Sequence, residues 1–591
     1  MRHAEAEPAK PPGDAAPSGP AGPGRSRRRA LTGLLAQPAG ALLVVIVAAI
    51  TVPQYWLFLA TSVLVSAVAL LGLGIVGRAG MNSLCQLSFA AVGAWTVAQL
   101  NVWETPGGLI AWTLAGGLAA MPFGVLIGLP ALRLRGVHLA VVTLGFAAAA
   151  DVVISAVNFP GVDSYQQVLR PGFIATDRQY FVYAGLVFVV AAVGVQWLGG
   201  TRTGAAWRAV RFSERATAAS GTGVAGAKLS AFALSAFAAG LSGGLLAGQV
   251  GMITAQNFGT ISSLALFVVA VMAGGEYVGG ALLGGVMIMF VPELFRRAGI
   301  NQDWANVLFG VGAVHALSQG SSVSEGVARR LRARRPAAVP APRAPVDGGT
   351  PPLGTEPLLE VKGLSVRFGQ VVALQDVDLV VPEGTVMGLI GPNGAGKSTL
   401  TDALSGFLPS ATGSVTLAGR PLGGLPVHRR AAAGLRRTFQ QDRVPTGLTV
   451  GAYLRFAAHR AVPAGELAEV RAFLGCPPPD AHVADLDVGS RRLLEVAAAL
   501  LARPKLIILD EPAAGLAHAE SLALADRLVE VPARYGASVL LIEHDLDMVR
   551  RACARVVVLD FGQVIAAGPP AEVLARPEVA RAYLGDEVAL T

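Results

Sequence analysis

The chain has 591 residues, of which 53% are apolar and only 15% charged, with a mean hydropathy of +0.55. That balance excludes an ordinary soluble protein, and the length leaves room for two or three domains of ~150 residues. The formal charge of +8 sits largely in arginines that flank apolar runs: Arg25, Arg27, Arg28 and Arg29, then Arg202, Arg208, Arg211 and Arg215, then Arg329, Arg330, Arg332, Arg334 and Arg335. Basic clusters so placed are topology signals under the positive-inside rule, not a nucleic-acid surface. The cysteines, Cys85, Cys476 and Cys553, follow neither metal-ligand nor disulfide spacing.

Residues 1–36 are rich in Pro, Ala, Gly and Arg without an apolar period, which predicts a disordered tail. The apolar run that follows outlasts a signal-peptide core, so a retained membrane span is expected. From 37 to 319 charges are sparse. Runs of ~20 apolar residues, the length of a spanning helix, centre near Val45, Val65, Val92, Leu118, Val142, Phe188, Phe237, Val268, Met287 and Val311. These predict about ten spans, or about eight if the close pairs at the start and near the end are not separate. With a cytoplasmic N-terminus, Arg78, Arg133, Arg135 and the Arg202–Arg215 segment fall inside, whereas Arg296 and Arg297 fall outside against the rule. Gly279, Gly280, Gly284 and Gly285 suit close helix packing. Asp151 lies inside a span, where an acid is either functional or pairs helices. Residues 320–357, basic and rich in Pro and Ala, read as a partly extended linker.

From 358 to 591 short β-branched runs alternate with helical segments, which predicts an α/β domain with a largely parallel sheet. Its strongest signal is Gly391-Pro392-Asn393-Gly394-Ala395-Gly396-Lys397-Ser398-Thr399, after the strand Thr385–Ile390 and before a helix. The glycines let backbone N–H groups close around phosphates, and the helix N-terminus adds positive potential. Lys397 reaches the β- and γ-phosphates in such a loop, and Ser398 binds Mg²⁺. A second signal is Leu506-Ile507-Ile508-Leu509-Asp510-Glu511-Pro512: a buried strand that delivers Asp510 to the Mg²⁺ shell and Glu511 to the attacking water as general base.

On these residues the α/β domain resembles ABC ATPases of the P-loop class. The resemblance implies that Phe368, in VRFG, stacks on adenine. It implies that Gln440, in RRTFQQ, contacts Mg²⁺ and couples to a membrane domain, and that His544, in LIEHD, contacts the γ-phosphate. Two positions depart from the family. The signature segment reads Leu486-Asp487-Val488-Gly489-Ser490, with a carboxylate where a serine is usual. The D-loop reads Ala514-Gly515-Leu516-Ala517, with alanine where Asp or Asn is usual.

ALLGLGIVGRAGMNSLCQLSFAAVGAW, LRLRGVHLAVVTLGF and VPELFRR in turn resemble the permease of branched-chain amino acid importers of the Liv type. RRTFQQ, EPAAGL, LIEHDLDMV and the ending ARAYLGDE resemble that system's ATP-binding subunit. The two likenesses together imply a polytopic all-α permease followed by an ATPase that uses ATP and Mg²⁺ to drive import of branched-chain or related small amino acids or amides. They also imply a second permease, a second ATPase, an extracytoplasmic binding protein, surrounding membrane lipid, and an ATPase and both termini in the cytoplasm. An exporter is the alternative, since exporters often fuse one membrane domain to one ATPase; the short loops and the number of spans count against it. The segment Arg208–Leu229 is expected to dock on an ATPase near Gln440.

Overall fold

The computed structural model describes residues 40–318, 322, 324, 326, 356–441 and 443–584. The tail expected over 1–36 and nearly all of the linker expected over 320–357 lie outside these residues. The helical region opens with α1 (Gly40–Thr51) and α2 (Gln54–Arg78), parted at Pro53, whose ring and missing N–H end a helix. It continues through α3 (Gln86–Val102), α4 (Gly108–Gly128), α5 (Val137–Ala156), α6 (Asp177–Gly200), α7 (Arg202–Phe212), α8 (Glu214–Ala219) and α9 (Val224–Val250). It ends with α10 (Thr260–Ala273), α11 (Val278–Arg297) and α12 (Trp304–Ser318).

Every expected span centre falls in one of these helices, but among the described residues seven stretches are long and apolar enough to cross a membrane, one of them α10 taken together with the 3₁₀ turn Ala255–Phe258 before it. Within the described residues α1, α3 and α12, centred on Val45, Val92 and Val311, are shorter than that, α1 and α12 each reaching the limit of the described residues. With 17 residues, α3 reaches about 26 Å, less than the ~30 Å of hydrocarbon, and it buries Gln86 and Asn101 against its neighbours.

Small residues let the bundle close. A Cβ on Gly243 of α9 would collide with the Ala90 carbonyl of α3, and one on Gly285 of α11 with the Val63 carbonyl of α2. Asp151 proves to be a helix-pairing acid: its Oδ2 accepts from the Thr260 N–H and hydroxyl, both at 2.9 Å, satisfying a first-turn donor of α10. Arg296 and Arg297 share Glu293 at 2.8 and 2.7 Å, and Arg297 stacks over Trp56 at 4.4 Å. They lie at the opposite end of the bundle from Arg78, which donates to the Glu276 carbonyl at 3.0 Å. Their charge is met by this acid–aromatic cluster rather than by placement.

The α/β region holds two sheets. An antiparallel sheet runs β2-β1-β4-β5, from β1 (Pro357–Phe368), β2 (Val371–Pro382), β4 (Thr412–Leu417) and β5 (Arg420–Pro421). The second sheet runs β10-β9-β3-β8-β7-β6, with β3 (Val386–Ile390), β6 (Leu435–Arg437), β7 (Leu506–Asp510), β8 (Ser538–Ile542), β9 (Arg555–Asp560) and β10 (Gln563–Gly568); all its pairs are parallel except β9–β10. The parallel strands β3, β7 and β8 are buried at every position, as strands covered on both faces must be. Around the sheets lie α13 (Lys397–Ser405), α14 (Val427–Ala432), α15 (Val450–Ala458), α16 (Ala464–Leu474), α17 (Val488–Leu501), α18 (His518–Tyr535), α19 (Leu546–Ala552), α20 (Pro570–Val573) and α21 (Pro577–Leu584). The carboxyl ends of β3, β7 and β8 converge, which is where ligands bind in parallel sheets.

Candidate functional site

At the end of β3 the chain turns into a loop that only glycine can begin. Gly391 has φ +150°, and a Cβ there would collide with the Leu559 carbonyl of β9. The loop runs into α13, whose N-terminus has no side-chain cap and whose first residues, Lys397, Ser398 and Thr399, line the cavity. Lys397 folds back on the loop and donates to the carbonyls of Gly391 at 2.6 Å and Pro392 at 2.9 Å. Burial pulls its pKa down, and the carboxylates of Glu511 and Asp510 oppose that shift. Asn393, Gly394, Gly396, Lys397, Ser398 and Thr399 line a cavity of about 420 Å³ together with Gln440, Glu511 and His544. That size falls in the range of small-molecule sites.

Three of these side chains meet at one oxygen. The amide of Gln440 donates to Glu511 Oε1 at 3.0 Å, and His544 Nε2 lies 3.0 Å from the same atom. Glu511 follows β7 with φ +49°, a backbone conformation that costs a non-glycine residue and is typical of active sites. Asp510 stands just outside the cavity wall. Its N–H donates to Thr438 Oγ1 at 3.0 Å, and its Oδ2 accepts from Arg437 at 3.0 Å. Phe368 also lies outside the wall, half exposed at the end of β1. Behind Glu511, Glu543 is buried and accepts from the N–H groups of Ala513 and His544; burial pushes its pKa up.

Among the described residues no cluster of three or more His, Cys, Asp or Glu could hold a metal. Ser398, Asp510 and Gln440 nonetheless offer hard oxygens, a set that fits Mg²⁺ carried in on phosphates rather than caged by protein.

Several contacts at the site were not foreseen. Arg437 also pairs with Asp402 of α13, and Asp402 in turn accepts from Arg215 of α8 at 2.5 Å. The Arg215 guanidinium stacks on Phe407 at 4.4 Å. The preceding residue, Glu214, reaches the other way, to Lys228 at 2.7 Å and Arg135 at 2.5 Å in the helical region. The expected docking of Arg208–Leu229 is therefore present and has two faces. It is extended by Arg443 donating to Ser213 Oγ at 3.1 Å and by Thr222 Oγ1 lying 2.9 Å from His459 Nε2. Burial, with Arg202 and Arg436 nearby, pushes the pKa of His459 down to about 4. At the far end, the Gly391 N–H donates to the hydroxyl of Tyr583 at 2.8 Å. Tyr583 belongs to the ending ARAYLGDE; its separation in sequence left no local signal of that role.

The signature segment opens α17. Asp487 is the N-cap, accepting from the Ser490 N–H at 2.6 Å and from its hydroxyl at 3.2 Å. Further along α17, Arg492 donates to the carbonyls of Phe439 and Gln440, tying this helix to the glutamine loop.

A parallel-sheet phosphate loop with Glu511 and His544 at its rim, docked through α8 on an apolar helical bundle, defines an ABC-type ATPase joined to a membrane permease. The comparisons agree for both halves. Residues 55–317 match the permease component of the branched-chain amino acid transport system, residues 374–514 the ABC transporter family, and residues 563–589 a branched-chain amino acid ATP-binding cassette transporter family. The high-affinity branched-chain amino acid transport ATP-binding proteins LivG of Salmonella typhimurium and BraF of Pseudomonas aeruginosa are each 35% identical over 253 residues, 39% of this chain and 99% of theirs. LivG of Escherichia coli K12 is 33% identical over the same share. A solved ATP-binding cassette of an ABC transporter in its ADP conformation is 29% identical over 39% of this chain and all of its own, with a TM-score of 0.36. The chain belongs to the branched-chain amino acid family of ABC transporters, as a permease and a LivG-like ATPase fused in one polypeptide. It is a membrane protein, and its ATPase domain binds and hydrolyses ATP.

Proposed function

We propose that this chain drives the import of branched-chain amino acids, or of related small amino acids or amides, across the cell membrane. In this reading residues 37–319 are the permease, 320–357 a linker and 358–591 the ATPase, with the ATPase and both termini cytoplasmic. A second permease, a second ATPase and an extracytoplasmic binding protein complete the transporter.

Lys397 and the N–H groups of Gly391–Thr399 bind the phosphates; Phe368, half exposed beside the cavity, is the aromatic that the family resemblance puts against adenine. Ser398, Asp510 and Gln440 hold Mg²⁺, which neutralises phosphate charge when bound. Glu511 takes the proton of the attacking water, with Gln440 and His544 orienting its carboxylate.

The observation that supports coupled transport is α8, where Glu214 pairs into the permease and Arg215, its neighbour, pairs into the ATPase. The names of the relatives, which specify branched-chain amino acid transport, support the substrate class. The test is uptake of labelled leucine, valine and urea by cells that express the chain with its neighbouring transport genes, against Lys397→Ala. ATP-dependent uptake lost in the variant is expected. Efflux in place of uptake would overturn the direction, and uptake equal in the variant would overturn the ATP-driven mechanism.

A further inference from the structure

Phe561 lines the nucleotide cavity but has no part in the phosphate or Mg²⁺ chemistry. Phe561 is the first residue of the two-residue turn between β9 and β10. Its φ is +40°, and its side chain is 90% exposed. Tight hairpin turns that need positive φ favour Asn, Asp or Gly, and a bulky residue there is a steric outlier. A phenyl ring left in water is a second unfavourable choice at the same position. Local strain of this kind at the rim of a site points to function.

The turn is not loose. The Gly562 N–H donates to the Ala395 carbonyl of the phosphate loop at 3.0 Å, and the Gly562 carbonyl accepts from the Gln375 N–H of β2 at 2.9 Å. A Cβ on Gly562 would press on the Ala373 backbone. Phe561 is thereby held on one wall with Val371 and Val372, and all three line the cavity that the phosphate loop closes. Phe368, the aromatic that the family resemblance assigns to adenine, does not line it.

We propose that Phe561 is a base-contacting residue of the ATP site: its ring, beside Val371 and Val372, gives the purine an apolar face. The inference rests on this cavity being the nucleotide site. A ring that stacks on a base is taken out of water, and that gain offsets the backbone strain the turn keeps, which accounts for phenylalanine where the turn alone asks for asparagine.

The experiment is equilibrium binding of ATP and of inorganic tripolyphosphate, which has no base, to the purified full chain. Phe561→Asn suits the turn and removes the ring. We expect it to weaken ATP about fivefold to tenfold, to leave tripolyphosphate binding as it was, and to hold or raise Tm. In ATP hydrolysis the loss falls on KM rather than kcat. Phe561→Trp restores ATP affinity, and its fluorescence changes with ATP but not with tripolyphosphate. Unchanged ATP affinity in Phe561→Asn would overturn the proposal. So would an equal loss for both ligands, which would mean that the turn acts only through the phosphate loop. Lys397→Ala tests the site itself: if that variant binds both ligands normally, the cavity reading fails whatever Phe561 does.

Discussion

Two helix N-termini in the ATPase domain carry opposite provisions for an anion. At α13 the N-cap is Gly396, which offers no side chain, and the first-turn N–H groups are left for a ligand. At α17 the N-cap is Asp487, whose own carboxylate already takes the Ser490 N–H at 2.6 Å. Both termini have the same partial positive charge. The first is open to a triphosphate, and the second is filled from within the chain. In a head-to-tail pair of ATPases, as the family resemblance implies, this chain's phosphate loop would meet the partner's signature, and its α17 would complete the partner's site. The lesson is that a helix dipole is a binding site only when nothing in the sequence claims it first.

The largest effect is expected at the working end of that contrast. Glu511→Gln keeps the shape of the group on which Gln440 and His544 converge, while removing its capacity to accept a proton. ATP hydrolysis by the assembled transporter should fall about 10²- to 10⁴-fold with ATP still bound. Single-turnover hydrolysis with bound-nucleotide analysis checks this, and turnover within a few fold of wild type would take the base role away from Glu511. Next, Lys397→Ala removes the cation that now rests on the Gly391 and Pro392 carbonyls. ATP affinity should drop about 10- to 100-fold, the scale of hydrogen bonds to a charged group; titration with labelled ATP reads it directly.

A smaller effect is expected where the permease reaches the open end. Arg215, Asp402, Arg437 and Asp510 form a continuous series of ion pairs from α8 to the end of β7. The Arg215–Asp402 pair is partly exposed, so breaking it should cost little stability, about 1 kcal/mol or less. Arg215→Ala should nevertheless lower transport per ATP hydrolysed about fivefold, the scale of a modest coupling energy. An unchanged ratio of transport to hydrolysis would reduce these pairs to packing.

The open end was the more legible of the two in the sequence. Gly391–Thr399 is contiguous, and its chemistry follows from the order of its residues. Glu511, Gln440 and His544 were found because each sits in its own short motif. The Arg215–Asp402–Arg437 series draws on three distant segments, and Phe561-Gly562 reads as an ordinary turn until φ and exposure are known, so neither left a local signal. In the bundle, apolar runs gave the helix positions, since every expected centre is helical. They did not give the helix lengths, because hydropathy cannot see that α3 is short and buries Gln86 and Asn101 in protein. Asp151 was recognisable as costly but not as the cap of α10, which depends on Thr260 being brought beside it. Asp487 was legible as a departure from the family; that it is satisfied by its own helix is visible only in three dimensions.

The most direct measurement isolates the filled end. In a transporter assembled with its partner ATPase and carrying Lys397→Ala, the site that α17 completes is the one left to bind ATP, and its affinity can be compared with and without Asp487→Ser. Two unit charges ~4 Å apart at an effective dielectric of ~20 repel by about 4 kcal/mol, and exposure of Asp487 to solvent reduces that. Removing the carboxylate should therefore tighten ATP about tenfold. Equal affinity with Asp487 and with serine would contradict the account, because the carboxylate would then not be occupying the phosphate's place.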